Sequence, residues 1–370
     1  MLKKILLTGL TLLLILPVMT AQEELIAISE SAATFITENP DDVAIYCVDD
    51  NNPDNSVFHN IETPFPVAST YKIIILAELA RQYDAGLIDI DEQVALNDVN
   101  LYWQPDTDGG AHQAWLDASG LEADDEVSLR DVAYGMISVS SNAATDYLLR
   151  RLGTDGFEDL YDLLTLENTD VPHSTFLGLF LLQSNHETGE FDLDTSEDNA
   201  ALYEEMQRLE DAFVASDTWR DDFQAYLQEQ TFNPDLQIAY MQAYSPKVSA
   251  GDMMTVMDVI YEGDVFSDDA VAFMDETLGW VFDVNPANAE VYETMSTKGG
   301  SLASIATAAW YVDPIAGDPY HIAVFYQGVP METWIDWQSS GAQQILELRV
   351  FAFGEGCTPF VEALGAEASE

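Results

Sequence analysis

The chain has 370 residues, with 12 Lys+Arg against 66 Asp+Glu, a formal charge of −54. Such a surface repels polyanions, which excludes nucleic acid as an expected partner. With 48% hydrophobic and 11% aromatic residues the chain is too apolar for an acidic disordered polymer, so a core is expected in one large domain or two packed lobes.

Residues 1–22 read as a secretory leader. Lys3 and Lys4 form its charged start, Ile5 to Val18 its apolar run, and Ala21 a small residue suited to cleavage. The run is shorter than the ~20 residues of a bilayer span. The expected mature protein starts near Gln22, comprises residues 23–370, and is secreted or periplasmic with no stable membrane span. A monomer is the expected state.

Glu23 to Thr37 places Leu25, Ile28, Ala32, Phe35 and Ile36 at helical spacing, and Val43 to Val48 alternates as a strand. Asn51-Asn52-Pro53-Asp54-Asn55 is turn chemistry, after which Ser56 to Asn60 can return as a hairpin. Ala68 to Ala85 is a helix apolar nearly all round, which predicts burial in the middle of a lobe, with Gly86 as its stop. Residues 97–125, rich in Asp, Gly and Trp, read as a mostly irregular, exposed excursion. Ser128 caps a helix to Ser138, and a second helix runs from Ala143 to Arg151.

Residues 165–245 read as an expansion with helices within Asn199 to Phe213 and Trp219 to Gln228. Further helices are predicted at Ser249 to Tyr261 and Asp268 to Leu278. Strands follow at Glu290 to Thr297, Ala303 to Val312 and His321 to Gln327, then a closing helix from Gln338 to Phe353. The order predicts an α+β fold: an antiparallel sheet flanked by terminal helices, an all-helical lobe, and a cleft between them.

Cys47 and Cys357 lie near the two ends, and the sequence leaves open a disulfide or two buried thiols. His59, His112, His173, His186 and His321 show neither H-x-H nor H-E-x-x-H spacing, and Gly-x-Ser-x-Gly is absent. Neither a metal nor a cofactor is expected, and the usual α/β-hydrolase nucleophile is excluded.

After the leader only three lysines remain, Lys72, Lys247 and Lys298. A lysine retained in so lysine-poor a chain points to a compact ammonium that can lose its proton, a task arginine cannot perform. Lys72 closes Ser69-Thr70-Tyr71-Lys72, and three residues on one helical face bring its amine toward the Ser69 hydroxyl. In the apolar helix, burial and a second ammonium nearby would lower the Lys72 pKa toward that of a working base.

Phe65-Pro66-Val67-Ala68-Ser69-Thr70-Tyr71-Lys72, then Ser140-Ser141-Asn142, then Lys298-Gly299-Gly300-Ser301 stand in the order of three boxes. In this the chain resembles class A serine β-lactamases and penicillin-binding proteins, roughly from Asp42 to Gly328 apart from residues 97–125 and 165–245, which look like expansions. The resemblance implies a β-lactamase/transpeptidase-like fold and catalysis by an acyl-enzyme on Ser69. Lys72 would be the base, Ser140 a proton relay to the leaving nitrogen, and Asn142 a holder of Lys72 and the substrate amide. Lys298 would supply positive potential, with Gly299, Gly300 and Ser301 binding substrate and the Ser69 and Ser301 N–H groups forming the oxyanion hole. The implied substrate is a small-molecule or peptidoglycan-like acyl donor.

Three departures qualify the resemblance. Gly299 replaces the family's usual hydroxyl residue, no arginine occurs from Ser301 to Gln327, and no Glu-x-x-Leu-Asn signature is present. Glu167 and Glu187 stand in other contexts. Beside a β-lactam hydrolase stand two alternatives: a D,D-peptidase or esterase that releases β-lactams slowly, and a non-catalytic secreted binder presenting Trp103, Trp115 and Trp219.

Overall fold

The computed structural model describes residues 19–105, 107–172, 175–188, 200–230, 234–263 and 265–365. Most of the expected leader lies outside the described residues, as do His173 and most of the acidic run 185–198.

Helix α1 (Met19–Glu38) leads into strands β1 (Val43–Asp49), β2 (Val57–His59) and the short β3 (Phe65–Pro66). A 3-10 turn over Ala68–Tyr71 opens helix α2 (Lys72–Asp84). Strand β4 (Gln93–Ala95) and helices α3 (Leu96–Asn100) and α4 (Ala111–Ser119) follow, then β5 (Glu126–Ser128), α5 (Leu129–Ser138), α6 (Asn142–Leu152) and α7 (Asp155–Leu164). Next come α8 (Phe176–Gln183), α9 (Ala200–Ala215), α10 (Asp217–Glu229), α11 (Pro234–Tyr244), β6 (Lys247–Val248), α12 (Ala250–Glu262), α13 (Asp268–Leu278) and α14 (Val281–Val284). The chain closes with β7 (Tyr292–Leu302), β8 (Ile305–Pro314), β9 (Tyr320–Tyr326), α15 (Met331–Ser340), α16 (Ala342–Phe351) and α17 (Thr358–Leu364).

The main sheet has the order β2-β1-β9-β8-β7, antiparallel at each pairing. Helices α1, α16 and α17 pack together beside the sheet, and α12 packs on β1, β8 and β9. A disulfide joins Cys47 in β1 to Cys357 ahead of α17, settling the choice the sequence left open and tying the first strand to the last helix. In the helical lobe α2 is central, packed by α5, α6, α7, α12 and α13, and Ile73 to Ala77 are fully buried. Ser128 caps α5 through a reciprocal box with Asp131, as its position predicts.

Several expectations are corrected. Residues 97–125 are irregular over much of their length, as expected, but they are not simply an exposed excursion: they contain α4, whose His112 and Trp115 are buried, with Trp115 against Gly135. Asp108, Gly109, Gly110 and Gly120 belong to the turns flanking that helix, whereas Asp117 lies within it. The closing helix begins earlier and breaks at Gly341, whose φ of +73° suits glycine, and α17 follows. The first strand of the meander runs on through Lys298-Gly299-Gly300-Ser301 to Leu302. The 165–245 stretch builds its own small core from Leu177, Leu181, Met206, Leu209, Phe213 and Phe223.

One buried acid sets a pH dependence. Glu347 on α16 is buried and accepts the Trp310 indole N–H at 2.8 Å, and burial pushes its carboxyl up to about 8. The folded state thus holds a proton that the unfolded chain has already lost, so this group's contribution to stability declines as pH rises from the ordinary carboxylate range through about 8. Glu347→Gln keeps an acceptor for Trp310 without the charge. Its melting temperature is expected to exceed that of the wild type increasingly from pH 5 to 9, and parallel curves would refute the assignment.

Candidate active site

The site is built where the start of α2 meets the edge of the sheet. Ser69 lies in the 3-10 turn, and the Lys72 backbone N–H donates to the Ser69 carbonyl, the i to i+3 geometry that sets both side chains on one face. Ala68, just before Ser69, has φ +49°, an unusual conformation for a residue with a Cβ and one that proteins retain mainly where surrounding contacts enforce it.

Those contacts come from the edge strand β7 and its neighbour β8. The Thr70 hydroxyl lies 2.8 Å from that of Thr307 on β8, and Thr307 donates to the Val67 carbonyl at 2.8 Å. Gly300 is pressed so closely on the turn that a Cβ there would stand 2.6 Å from Val67 O and 2.8 Å from Ser69 N. Glycine at 300 is therefore a steric requirement for bringing β7 beside the Ser69 N–H. Gly299 and Ser301 alternate to the exposed face of the same strand.

Lys72 is completely buried. Its Nζ lies 2.8 Å from the Ser140 carbonyl, 2.9 Å from Ser140 Oγ and 2.9 Å from Asn142 Oδ1. Ser140 makes the double contact because its φ of +68° turns both its carbonyl and its hydroxyl to the amine. Asn142 is held as the first residue of α6, whose N-cap Ser141 accepts the Ala144 N–H at 3.1 Å. A charged Lys72 donates to all three oxygens. A neutral one donates to two and has a lone pair left for a hydroxyl proton.

Burial holds the Lys72 pKa well below the usual lysine value, and the Lys298 charge lowers it further. The carboxylates Asp146 and Asp108 act the other way and do not prevail. Lys298, 5% exposed, is lowered by burial to about 7, and its Nζ donates to the Gly299 carbonyl at 2.7 Å. Ser140 and Asn142 are thus in contact with Lys72, Gly300 lies against the Ser69 N–H, and Lys298 is near enough for its charge to act on Lys72. The third lysine, Lys247, pairs with Pro66 between β6 and β3, beside the approach to Ser69.

Sequence reasoning missed what closes the floor. Asp146, one turn beyond Asn142 on α6, is buried and accepts the Phe176 N–H at 2.9 Å and the Leu177 N–H at 2.8 Å, which seats the start of α8. The Phe176 ring then lies with its centroid 5.4 Å from Lys72 Nζ. The preceding loop is pinned from below, where Tyr71 and Tyr161 both donate to the Asp170 carbonyl. Of the two glutamates weighed from the sequence, Glu187 accepts from Arg208 and the Trp219 indole, and Glu167 is exposed. Burial of Trp115 also removes it from any exposed contact surface.

The family model described as the beta-lactamase enzyme family matches residues 27–336. Among solved structures, a beta-lactamase from Sphaerobacter thermophilus has a TM-score of 0.53 at 16% identity, covering 89% of this chain and 98% of that one. A beta-lactamase from Chitinophaga pinensis scores 0.51 at 14%, covering 88% and 97%. A mutant class A beta-lactamase of the last common ancestor of Gram-negative bacteria scores 0.50 at 11%, covering 88% and 97%. At such identities these likenesses establish the fold. No curated protein matches the sequence significantly. Among the described residues no helix is long and apolar enough to cross a membrane. With a family match spanning most of its length and the β-lactamase/transpeptidase-like fold, the chain belongs to the beta-lactamase enzyme family.

Proposed function

We propose that the protein is an exported serine hydrolase that is acylated on Ser69 by a β-lactam or a related amide or ester. The observation that carries the reading is the fully buried Lys72 amine, its proton affinity depressed, one turn from Ser69 and in contact with Ser140 and Asn142. In this reading Lys72 takes the Ser69 proton as Oγ attacks the acyl carbon. Ser140 passes a proton to the leaving nitrogen, and Asn142 orients Lys72 and the substrate amide. In this reading the oxyanion is met by the N–H groups of Ser69 and Ser301, a role supported by the close approach of Gly300, the residue before Ser301, to the Ser69 N–H. Lys298 supplies positive potential for a substrate anion, while the exposed Gly299 leaves room for substrate beside the strand and Gly300 lets the strand approach Ser69.

A second observation bears on release of the acyl group. The residue that α8 presents to Lys72 is Phe176, whose ring can neither bind nor deprotonate water. This favours slow deacylation, the behaviour of a D,D-peptidase or esterase that β-lactams trap. Incubation with penicillin or a fluorophosphonate, read by intact mass, is expected to give one adduct on the wild type and none on Ser69→Ala. Labelling that survives the substitution would reject Ser69. The same spectrum is expected to show a mature chain starting near Gln22 when the protein is recovered from outside the cytoplasm.

A further inference from the structure

We propose that His112 is a positioning residue, carried on α4, that sets the Ser140–Asn142 turn against Lys72. The inference rests on the serine-hydrolase reading and extends it to a part of the chain remote from the three boxes.

Ser141 separates the two residues that touch Lys72 and is itself fully buried. Its Oγ accepts the Ala144 N–H, so the proton of that hydroxyl has to go to another acceptor. His112 Nδ1 lies 2.8 Å from it. An imidazole that accepts at Nδ1 carries its proton on Nε2, and Nε2 lies 2.8 Å from Asn100 Oδ1, which accepts it. The chain of donors thus runs in one direction, from imidazole to Asn100 and from Ser141 to imidazole. It works only with a neutral ring.

The surroundings keep it neutral. His112 is fully buried, with Trp103 at 5.0 Å and Trp115 at 5.6 Å between ring centroids, and burial lowers its pKa to about 4. Asp108, which caps the same helix by accepting the His112 backbone N–H, is the charged group whose field reaches the ring, and it acts in the raising direction without prevailing. The rotation of Ser141 is thereby fixed by α3 and α4. That rotation sets where the Ser140 hydroxyl and the Asn142 amide fall.

Two substitutions separate positioning from packing. In His112→Asn the side-chain amide reaches the place of Nδ1 and can still accept from Ser141, whereas in His112→Gln it reaches the place of Nε2 and keeps only Asn100. Both leave a hole beside the tryptophans. The acylation rate of a chromogenic β-lactam is expected to fall about 10²-fold in His112→Gln and to return to within about tenfold of wild type in His112→Asn, at similar melting temperatures. Equal rates in His112→Gln and wild type, or equal losses in both variants, would overturn the proposal. If neither variant folds, imidazole ¹⁵N shifts of the wild type decide it: a neutral Nε2–H ring from pH 8 down to about 5 is expected, and an Nδ1–H tautomer or titration near 6.5 would overturn it. A wild type that never acylates would instead refute the hydrolase reading, leaving the tautomer measurement to judge His112 alone.

Discussion

Lys72→Met is expected to lower the rate of Ser69 acylation by about 10³-fold or more while leaving the fold intact or slightly more stable. The two effects have one cause. Among the described residues the hydrogen-bond partners of the buried Lys72 are oxygens of Ser140 and Asn142 and no carboxylate, so its charged form is held in an environment that disfavours it. Methionine fills nearly the same space without that cost and removes the amine proposed to take the serine proton. Lys72→Arg should be equally inactive, because a guanidinium does not give up its proton near neutrality. Stopped-flow acylation and thermal melts check both, and a methionine variant acylating near the wild-type rate would assign the base elsewhere.

The pH dependence follows from the same pair of amines. Acylation rises as Lys72 loses its proton. For an anionic β-lactam the second-order rate is expected to fall again above about pH 7, where Lys298 loses its charge and with it the pull on the substrate anion. An uncharged ester should lack the descending limb. A descending limb common to both substrates would mean that Lys298 acts on the reacting atoms instead of on the anion.

What could be seen in the sequence was local. Ser69 and Lys72 announce themselves because three residues along a helix suffice to bring them together, and Ser128 caps the helix that follows it for reasons internal to one turn. The order of elements was enough for the layers, since an apolar helix such as α2 has to lie in the middle of a lobe. What stayed hidden depends on distant partners. Gly299-Gly300 reads as the end of a strand, yet β7 continues through it because Val67 and Ser69 leave no space for a Cβ at 300. Helix α8 shows no periodicity in Phe-Leu-Gly-Leu-Phe-Leu-Leu because it is covered on nearly all sides by α9 and α6. His112 and Asp146 look like an isolated histidine and a helix acid until the fold sets one against Ser141 and the other against two N–H groups of α8.

Phe176→Glu is expected to turn a long-lived acyl-enzyme into one that turns over, with deacylation faster by about 10²-fold or more. The position is favourable for three reasons. The backbone of residue 176 is fixed by its bond to Asp146, so a carboxylate introduced there stays within reach of the space now covered by the ring above Lys72. It would stand in the first turn of α8, where the helix field favours an anion. Partial burial of position 176 disfavours the introduced charge, which raises the carboxyl toward the pKa of an effective base. The same carboxylate would also favour protonated Lys72, so acylation should slow modestly while release accelerates. Intact-mass time courses after a penicillin pulse separate the two steps. Wild-type adduct that clears within seconds would show that Phe176 does not limit hydrolysis, and an adduct equally persistent in Phe176→Glu would show that no water can reach the acyl carbon from the side of α8.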